Sequence, residues 1–354
     1  MATIHDVAAL AGVSTSSVSN VLNGRTEKLS AETFSRVEAA IRSLAFQPNR
    51  VARQLKTGHT PMLGLLVPST ANPMYGQLAL NIEAAAQTRF NYRLLLGNTH
   101  RDKRQESRMF EDLLSFGVRA VIVVSSLDDE RHLEKAVAHG LAVVSYDRSA
   151  GGDAQARVDH VSPDNYQAGY LAADHLIAHG HRRLAFLVPA GKTLSRSEKI
   201  AGFHDRISLC GACLSASVVE GQVSKAFGDS ELADLGFTMA SQVAAIRSMP
   251  TGIVTVNDML AIGLMSGLNA LGLRVPRDVS VVGMDGLPIA GFVNPGLTSI
   301  AMPLAEMAGA MVERAIERST HPDLPPSDFL FQPTLISRQS VAAPARARKA
   351  RTTT

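Results

Sequence analysis

Thr15, Ser16, Ser17 and Asn20 put three hydroxyls and one carboxamide within six residues, flanked by the apolar Val13, Val18 and Val21. An asparagine so placed can pair bidentately with adenine, and short hydroxyl side chains reach base edges or a thymine methyl, so the chemistry on offer is base readout. Other reactive sets fall short. Gly191-Lys192-Thr193 follows a strand-like run at 183–188, where a phosphate-binding loop would sit, but that loop needs a glycine five residues earlier and the position holds Phe186. Cys210-Gly211-Ala212-Cys213 has redox spacing, yet it falls at the end of a helical run, away from the N-terminus that would stabilise a thiolate. His175, His179 and His181 come without the carboxylate motif of a helical zinc site, and Gly180 reads as the residue past a helix end, where histidines complement the dipole. No Gly-x-Ser-x-Gly elbow and no catalytic carboxylate pair stand out. The expectation is a protein that is not an enzyme and carries no cofactor or metal.

Three short helices would position the polar set. Thr3 and Asp6 form a capping-box-like pair, Ile4, Val7, Ala8 and Ala11 recur at helical spacing, and Gly12 supplies the stop. Ser14 caps a second helix whose inward stripe is Val18, Val21 and Leu22, which turns Thr15, Ser16, Ser19 and Asn20 outward. Leu29, Ser30 and Phe34 fit a hydrophobic staple, and Phe34, Val37, Ile41 and Leu44 carry a third helix toward Pro48. Two helices joined by the tight turn Ala11-Gly12-Val13-Ser14 make a helix-turn-helix, the arrangement that lays its second helix in the DNA major groove. A helical hairpin with a solvated face is the alternative.

Asn49-Arg50-Val51-Ala52-Arg53-Gln54-Leu55-Lys56 spans barely two turns, too short for a stable isolated helix, and runs into the linker Thr57-Gly58-His59-Thr60-Pro61. It should fold only against a partner. With Thr3-Ile4-His5-Asp6-Val7-Ala8, Gly12-Val13-Ser14, Val18-Ser19, Val21-Leu22-Asn23-Gly24, Pro48-Asn49 and Ala52-Arg53-Gln54-Leu55, the chain resembles the lac repressor (LacI/GalR) family. In that family the segment after the third helix is a hinge helix that orders on operator DNA and pushes a leucine into the minor groove. The resemblance gives that role to Leu55, with Asn49, Ala52 and Lys56 on the same hinge. Such a wedge unstacks a base step at a cost of about a few kcal/mol, offset by wider phosphate contact.

Beyond Pro61, strand-like runs at 62–67, 92–96, 120–124 and 142–145 alternate with helical stretches at 82–86, 109–116 and 132–138. A second set follows, with strands at 183–188, 217–220, 252–255 and 280–283 and helices at 166–178, 200–209, 237–244 and 260–270. That rhythm means two parallel sheets wrapped by helices, whose ligands sit beyond the strands' carboxyl ends, here in the cleft between two lobes. The family resemblance extends to about Val341 through Ala178-His179-Gly180-His181-Arg182-Arg183, Asn257-Asp258, Leu273-Arg274-Val275-Pro276 and Val281-Val282-Gly283-Met284-Asp285. It implies a core like the periplasmic sugar-binding proteins, with lobe 1 at 61–161 plus about 303–325 and lobe 2 at 162–302 plus about 326–341. Positions matching the family's effector contacts are Asn72, Met74, Tyr75, Asn98, Ser125, Asp147 and Arg148 from one lobe, and Ser195, Lys199, Asn257 and Asp285 from the other. The chain departs from the family pattern with Lys199 for an arginine, Val223 for an aromatic and Met302 for a glutamine. Losing a stacking aromatic weakens a purine reading, while Asp, Asn and Ser around Tyr75 suit a hydroxyl-rich ligand, and Arg148 with Lys199 also allows an acid group.

Charge agrees with a DNA-binding head. Residues 1–60 hold seven Lys/Arg against four Asp/Glu, and 341–354 hold four Lys/Arg and no acid, so within a net +3 the 280 residues between carry −4. The Ala-, Arg- and Thr-rich stretch 342–354 reads as a disordered basic tail. Two cysteines are too few for a disulfide framework, no apolar run is long enough to span a membrane, and the first residues lack a secretion signal, so a cytoplasmic location is expected. The reading is an all-α helix-turn-helix head (1–48), a hinge and linker (49–60) and a two-lobed α/β core. It describes a homodimeric or tetrameric repressor of a pseudopalindromic operator, controlled by a sugar or sugar acid; the absence of C-terminal leucine heptads disfavours a zipper-type tetramer. A corepressor-dependent regulator of purine type is the alternative. A sugar-binding transport receptor would need an export signal and no head, and a metabolic enzyme would need a catalytic set.

Overall fold

The computed structural model describes residues 2–22, 24–25, 27, 29–46, 61–125, 129–148, 157–211, 215–223 and 231–345. The chain divides into two units, Met1–Thr60 and Pro61–Thr354. The expected hinge residues Asn49, Ala52, Leu55 and Lys56, together with Cys213 and most of the basic tail, lie outside the described residues.

In the first unit, helices α1 (Ile4–Ala11), α2 (Thr15–Leu22) and α3 (Ala31–Ser43) enclose one small core. The fully buried Val7, Val18 and Val37 contribute one side chain per helix. The capping box forms as expected, Thr3 N–H donating to Asp6 Oδ2 at 2.8 Å and Asp6 N–H to Thr3 Oγ1 at 3.3 Å. Gly12 stops α1 at φ 61°, a conformation that costs little only without a Cβ. Helix α3 ends at Ser43, short of Pro48, with Leu44 as its cap.

The second unit holds two six-stranded sheets. The first is built from β1 (Met62–Val67), β2 (Arg93–Asn98), β3 (Ala120–Val124), β4 (Ala142–Tyr146) and β5 (Asp159–Pro163), interleaved with α4 (Pro73–Phe90), α5 (Lys103–Ser115) and α6 (Arg131–Ala138). The second is built from β6 (Arg183–Pro189), β7 (Ser215–Gly221), β8 (Gly252–Thr255), β9 (Ser280–Asp285) and β10 (Thr298–Ala301), wrapped by α7 (Asn165–Ala178), α8 (Leu194–Ser208), α9 (Leu232–Ala244) and α10 (Asp258–Ala270). Helix α11 (Leu304–Thr320) then returns to pack on the first sheet, and β11 (Asp328–Phe331) and β12 (Thr334–Ile336) complete one sheet each. Strand orders are β2-β1-β3-β4-β5-β11 and β7-β6-β8-β9-β10-β12. In both, the order reverses beside the lobe's first strand, which is where doubly wound sheets place ligands.

Two expectations are corrected. The boundary drawn between 161 and 162 cuts through β5, and β11, assigned to the second lobe, pairs in parallel with β5 in the first. The chain therefore crosses between lobes at 163–165, 301–304 and 331–334. Strand β5 escapes a hydrophobicity reading because Asp159, His160 and Ser162 are buried within it by side-chain pairing and not by apolar character. The sheets are also not wholly parallel, since β12 runs antiparallel to β10 at the edge of the second.

Candidate functional site

One cleft collects chain from both sheets. It is lined by residues that follow, or end, strands β1, β2, β4, β5, β6, β8, β9 and β10, all at carboxyl ends. Of the eleven effector positions named from the sequence, Asn72, Met74, Tyr75, Asp147, Ser195, Lys199, Asn257 and Asp285 come together there. Asn72 and Asn257 each cap a helix, Asn72 Oδ1 accepting from Met74 N–H at 3.1 Å and Asn257 Oδ1 from Leu260 N–H at 2.9 Å. These caps hold both side chains at the cleft.

Asn98, Ser125 and Arg148 are not in the lining. Asn98 turns its amide to Thr70, accepting from the backbone N–H at 2.8 Å. Ser125 is buried, and its carbonyl accepts from Ser145 Oγ at 3.4 Å. Arg148 pairs with Glu130 at 3.0 Å, and Glu130 also meets His160 at 3.0 Å. Following a strand end is not enough, because Asn98, Ser125 and Arg148 are each engaged elsewhere, with Thr70, Ser145 and Glu130.

Several lining residues were missed, chiefly Arg101, Tyr146, Thr193 and Arg196. Arg101 reaches the cleft through two consecutive left-handed residues, His100 at φ 51° and Arg101 at φ 55°, and its Nη2 donates to Tyr75 Oη at 3.0 Å. Thr193, the last residue of the failed phosphate-loop motif, caps α8, accepting from Arg196 N–H at 3.3 Å. A bulky residue where that motif needs glycine signalled a different use, but nothing local pointed to the cleft. Of the histidine trio, His179 Nδ1 lies 2.8 Å from the carbonyl of His175, while His181 sits between Thr251 Oγ1 and the Ala342 carbonyl, each at 3.0 Å. Burial lowers His181 to about 4, so it is neutral.

Asp285 dominates the electrostatics. It adopts φ 113°, strained for a residue with a Cβ, and its Oδ2 is buried without a hydrogen-bond partner. Burial and the neighbouring Asp258 carboxylate push its pKa well up, against the pull of Lys199. Asp258 is the better supported of the pair, accepting from Ser299 Oγ at 2.5 Å and from Leu287 N–H at 2.7 Å. Those contacts pin the turn that follows Asp285. Asp147, also left-handed at φ 68°, accepts from Asn165 Nδ2 at 3.1 Å.

On the head, Ser16 is exposed, while Thr15, Ser17 and Asn20 are partly so. Ser17 Oγ is 3.0 Å from Ser14 Oγ, and its N–H donates to Ser14, so Ser17 takes part in the helix start.

Helix-turn-helix unit and two-lobed ligand-binding core define a class of regulator, and comparison with known proteins agrees. Residues 3–49 match the family described as bacterial regulatory proteins, lacI family, and residues 173–341 match the periplasmic binding protein-like domain. The transcriptional repressor PurR of Mannheimia succiniciproducens is 31% identical, the alignment covering 96% of this chain and 99% of that protein. The ribose operon repressor of Escherichia coli is also 31% identical, covering 96% of this chain and all of that protein. The lac repressor dimer bound to operator and the anti-inducer ONPF superposes with a TM-score of 0.82 at 26% identity, over 97% of this chain and 99% of that one. This chain belongs to the lacI family of bacterial regulatory proteins. It is a DNA-binding transcriptional repressor regulated by a small-molecule effector. Among the described residues, no helix is long and apolar enough to cross a membrane.

Proposed function

We propose that the cleft is the effector site and that its ligand is a polyhydroxylated small molecule, a sugar or sugar acid, which releases the repressor from DNA. The observation that carries this reading is the convergence of Asn72, Asp147, Ser195, Asn257 and Asp285 on one cavity from two lobes. Carboxylate, amide and hydroxyl groups together offer the mixed donors and acceptors that ring hydroxyls require. The repressor acts in the cytoplasm as a homodimer whose two heads occupy half-sites of a pseudopalindromic operator, with 49–56 as the hinge at its centre and Leu55 as the wedge. The chain crosses three times between the lobes, so closing the cleft around a ligand changes lobe geometry and, through it, the population of the short hinge helix. Resemblance to PurR supports a second reading, in which the ligand recruits DNA binding. The sign of the response separates the two.

The test is selection of bound sites from a random DNA pool, followed by release assays with sugars and purines. A palindrome whose occupancy falls on adding a sugar is expected. A palindrome recovered only in the presence of ligand would establish the corepressor mode, and no motif under either condition would overturn the assignment of the head.

Two substitutions probe the sites separately. Asn20→Ala should cost about 1–3 kcal/mol of discrimination between the selected operator and random duplex, since it deletes a bidentate base contact. Equal weakening on both duplexes would remove Asn20 from base readout. Asp285→Ala should abolish the effector response while leaving effector-free operator binding intact. A titration in which the variant is released at the wild-type ligand concentration would exclude Asp285 from the site.

A further inference from the structure

Behind the cleft lies a polar frame closed off from solvent. Asp258, the first residue of α10, and Ser299, in β10, are both fully buried. Ser299 Oγ donates to Asp258 Oδ1 at 2.5 Å and accepts from Gly286 N–H at 3.0 Å, while Asp258 Oδ2 accepts from Leu287 N–H at 2.7 Å. Two successive amides of the turn after β9 are thereby fixed by side chains from two other elements. A buried carboxylate is costly to desolvate, and the start of α10, whose free N–H groups favour negative charge, offsets part of that cost. Room for it comes from Gly283, where a Cβ would stand 2.3 Å from Asp258 Oδ1.

The frame ends on Asp285, which directly precedes Gly286. At φ 113° its backbone holds a conformation that persists only where the surroundings enforce it. Asp285 lines the cleft, and its Oδ2 is buried without a hydrogen-bond partner. An oxygen so placed is an acceptor left open for a hydroxyl or N–H of a ligand. Asn257, which precedes Asp258, and Met302, three residues past Ser299, line the same cleft, so the frame joins lining residues from three elements.

We propose that Asp258 and Ser299 are positioning residues of the effector site: without touching the ligand, they hold the Asp285–Leu287 turn in the conformation that presents Asp285 to it. The inference rests on the cleft being the effector site and adds which buried residues set its affinity. The hydrogen-bonded frame, and not the charge of Asp258, is what acts. Asparagine in place of Asp258 can keep Leu287 N–H on its carbonyl oxygen and donate its amide to Ser299 Oγ, which has a second lone pair beside the one that Gly286 N–H takes.

The experiment is calorimetric titration of the full chain, wild type and variants, with ribose, galactose, maltose, gluconate and hypoxanthine, each variant being compared on the compounds that the wild type binds. Ser299→Ala and Asp258→Ala leave buried turn amides without their acceptors and should each weaken binding about tenfold or more, whereas Asp258→Asn should stay within about threefold of wild type. Ser340→Ala controls for stability alone. Its hydroxyl is equally buried between the same two strands, donating to the Val281 carbonyl at 2.6 Å and accepting from Thr298 N–H at 2.8 Å, but those bonds go to the strand beginnings and not to the turn. This variant should lower the melting temperature as Ser299→Ala does and keep affinity within about threefold of wild type. Should Asp258→Ala fold poorly, Ser299→Ala carries the comparison. The proposal is overturned if Ser299→Ala binds like wild type while Asp285→Ala does not, if Ser340→Ala loses as much affinity as Ser299→Ala, or if Asp258→Asn binds as weakly as Asp258→Ala; in each case the cleft remains the effector site. Wild-type binding by Asp285→Ala, or silence from every compound, would overturn the reading of the site together with this one.

Discussion

Asp159→Ala is expected to destabilise the two-lobed unit by about 3–5 kcal/mol, the cost of removing one partner from a buried ion cluster. Asp159 is fully buried at the start of β5, where its carboxylate accepts from Arg314 Nε at 2.7 Å, Arg318 Nη1 at 2.6 Å and Ser327 N–H at 2.8 Å. The two arginines lie on α11, and Ser327 immediately precedes β11. One carboxylate thus ties the last helix and last strand of the first lobe to β5. Truncation leaves two guanidinium groups, 12% and 8% exposed, facing an apolar methyl. Urea unfolding followed on this unit should show a lower midpoint at unchanged slope. Replacing all three charges together with apolar residues of similar size should cost far less than the single change, because no buried charge is then left unpaired; Glu317, which also meets Arg314 at 3.2 Å, is about half exposed to water. A single-variant loss under about 1 kcal/mol would mean that the cluster contributes little to holding α11 in place.

Gly202→Ala carries the second-largest effect, and it reaches the site. Helices α7 and α8 cross with their backbones in contact: a Cβ on Gly202 would stand 1.9 Å from the Tyr166 carbonyl oxygen, and one on Gly169 would stand 1.8 Å from that of Lys199. Neither obstacle is a flexible side-chain end, so the helices must separate. Alanine gains about 1 kcal/mol of helix propensity over glycine, but overpacking costs about 1–3 kcal/mol and at backbone contacts more, so the net change is a loss. Helix α8 also carries Ser195, Arg196 and Lys199, and moving it loosens the cleft. Lower thermal stability and weaker effector binding are expected together. Gly309→Ala on α11 is the matched control, since the nearest atom to its new Cβ is an arginine side-chain nitrogen at 3.9 Å. There the propensity gain should show as neutral or slightly raised stability. Equal behaviour of the two variants would refute the close-crossing argument.

How far the sequence reaches depends on the range of the interaction being read. The head was legible almost residue by residue, because caps, turn glycine and the apolar stripe of each helix, such as Val7, Ala8 and Ala11 on α1, act over three or four positions. The apolar strands of the core were equally plain. Strand β5, reading Asp-His-Val-Ser-Pro, was not, since it is buried through Arg314, 155 residues away, and through Glu130. The last lobe crossing was misplaced for a related reason, because β11 belongs to the first sheet by pairing with that same strand. Eight of the eleven effector positions converge on the cleft, whereas Asn98, Ser125 and Arg148 are turned to Thr70, Ser145 and Glu130.

The amino-acid sequence by itself determined the class of protein, the helix-turn-helix and the alternation of strand and helix, all of which follow from periodicities and motifs local to the chain. Only the tertiary structure decided which strand ends meet across the cleft and that Arg101 and Arg196 join Lys199 in its lining. The orientation of a side chain beyond a strand end is set by the left-handed turns at His100, Arg101, Asp147 and Asp285 and by partners far along the chain, and neither leaves a periodic trace.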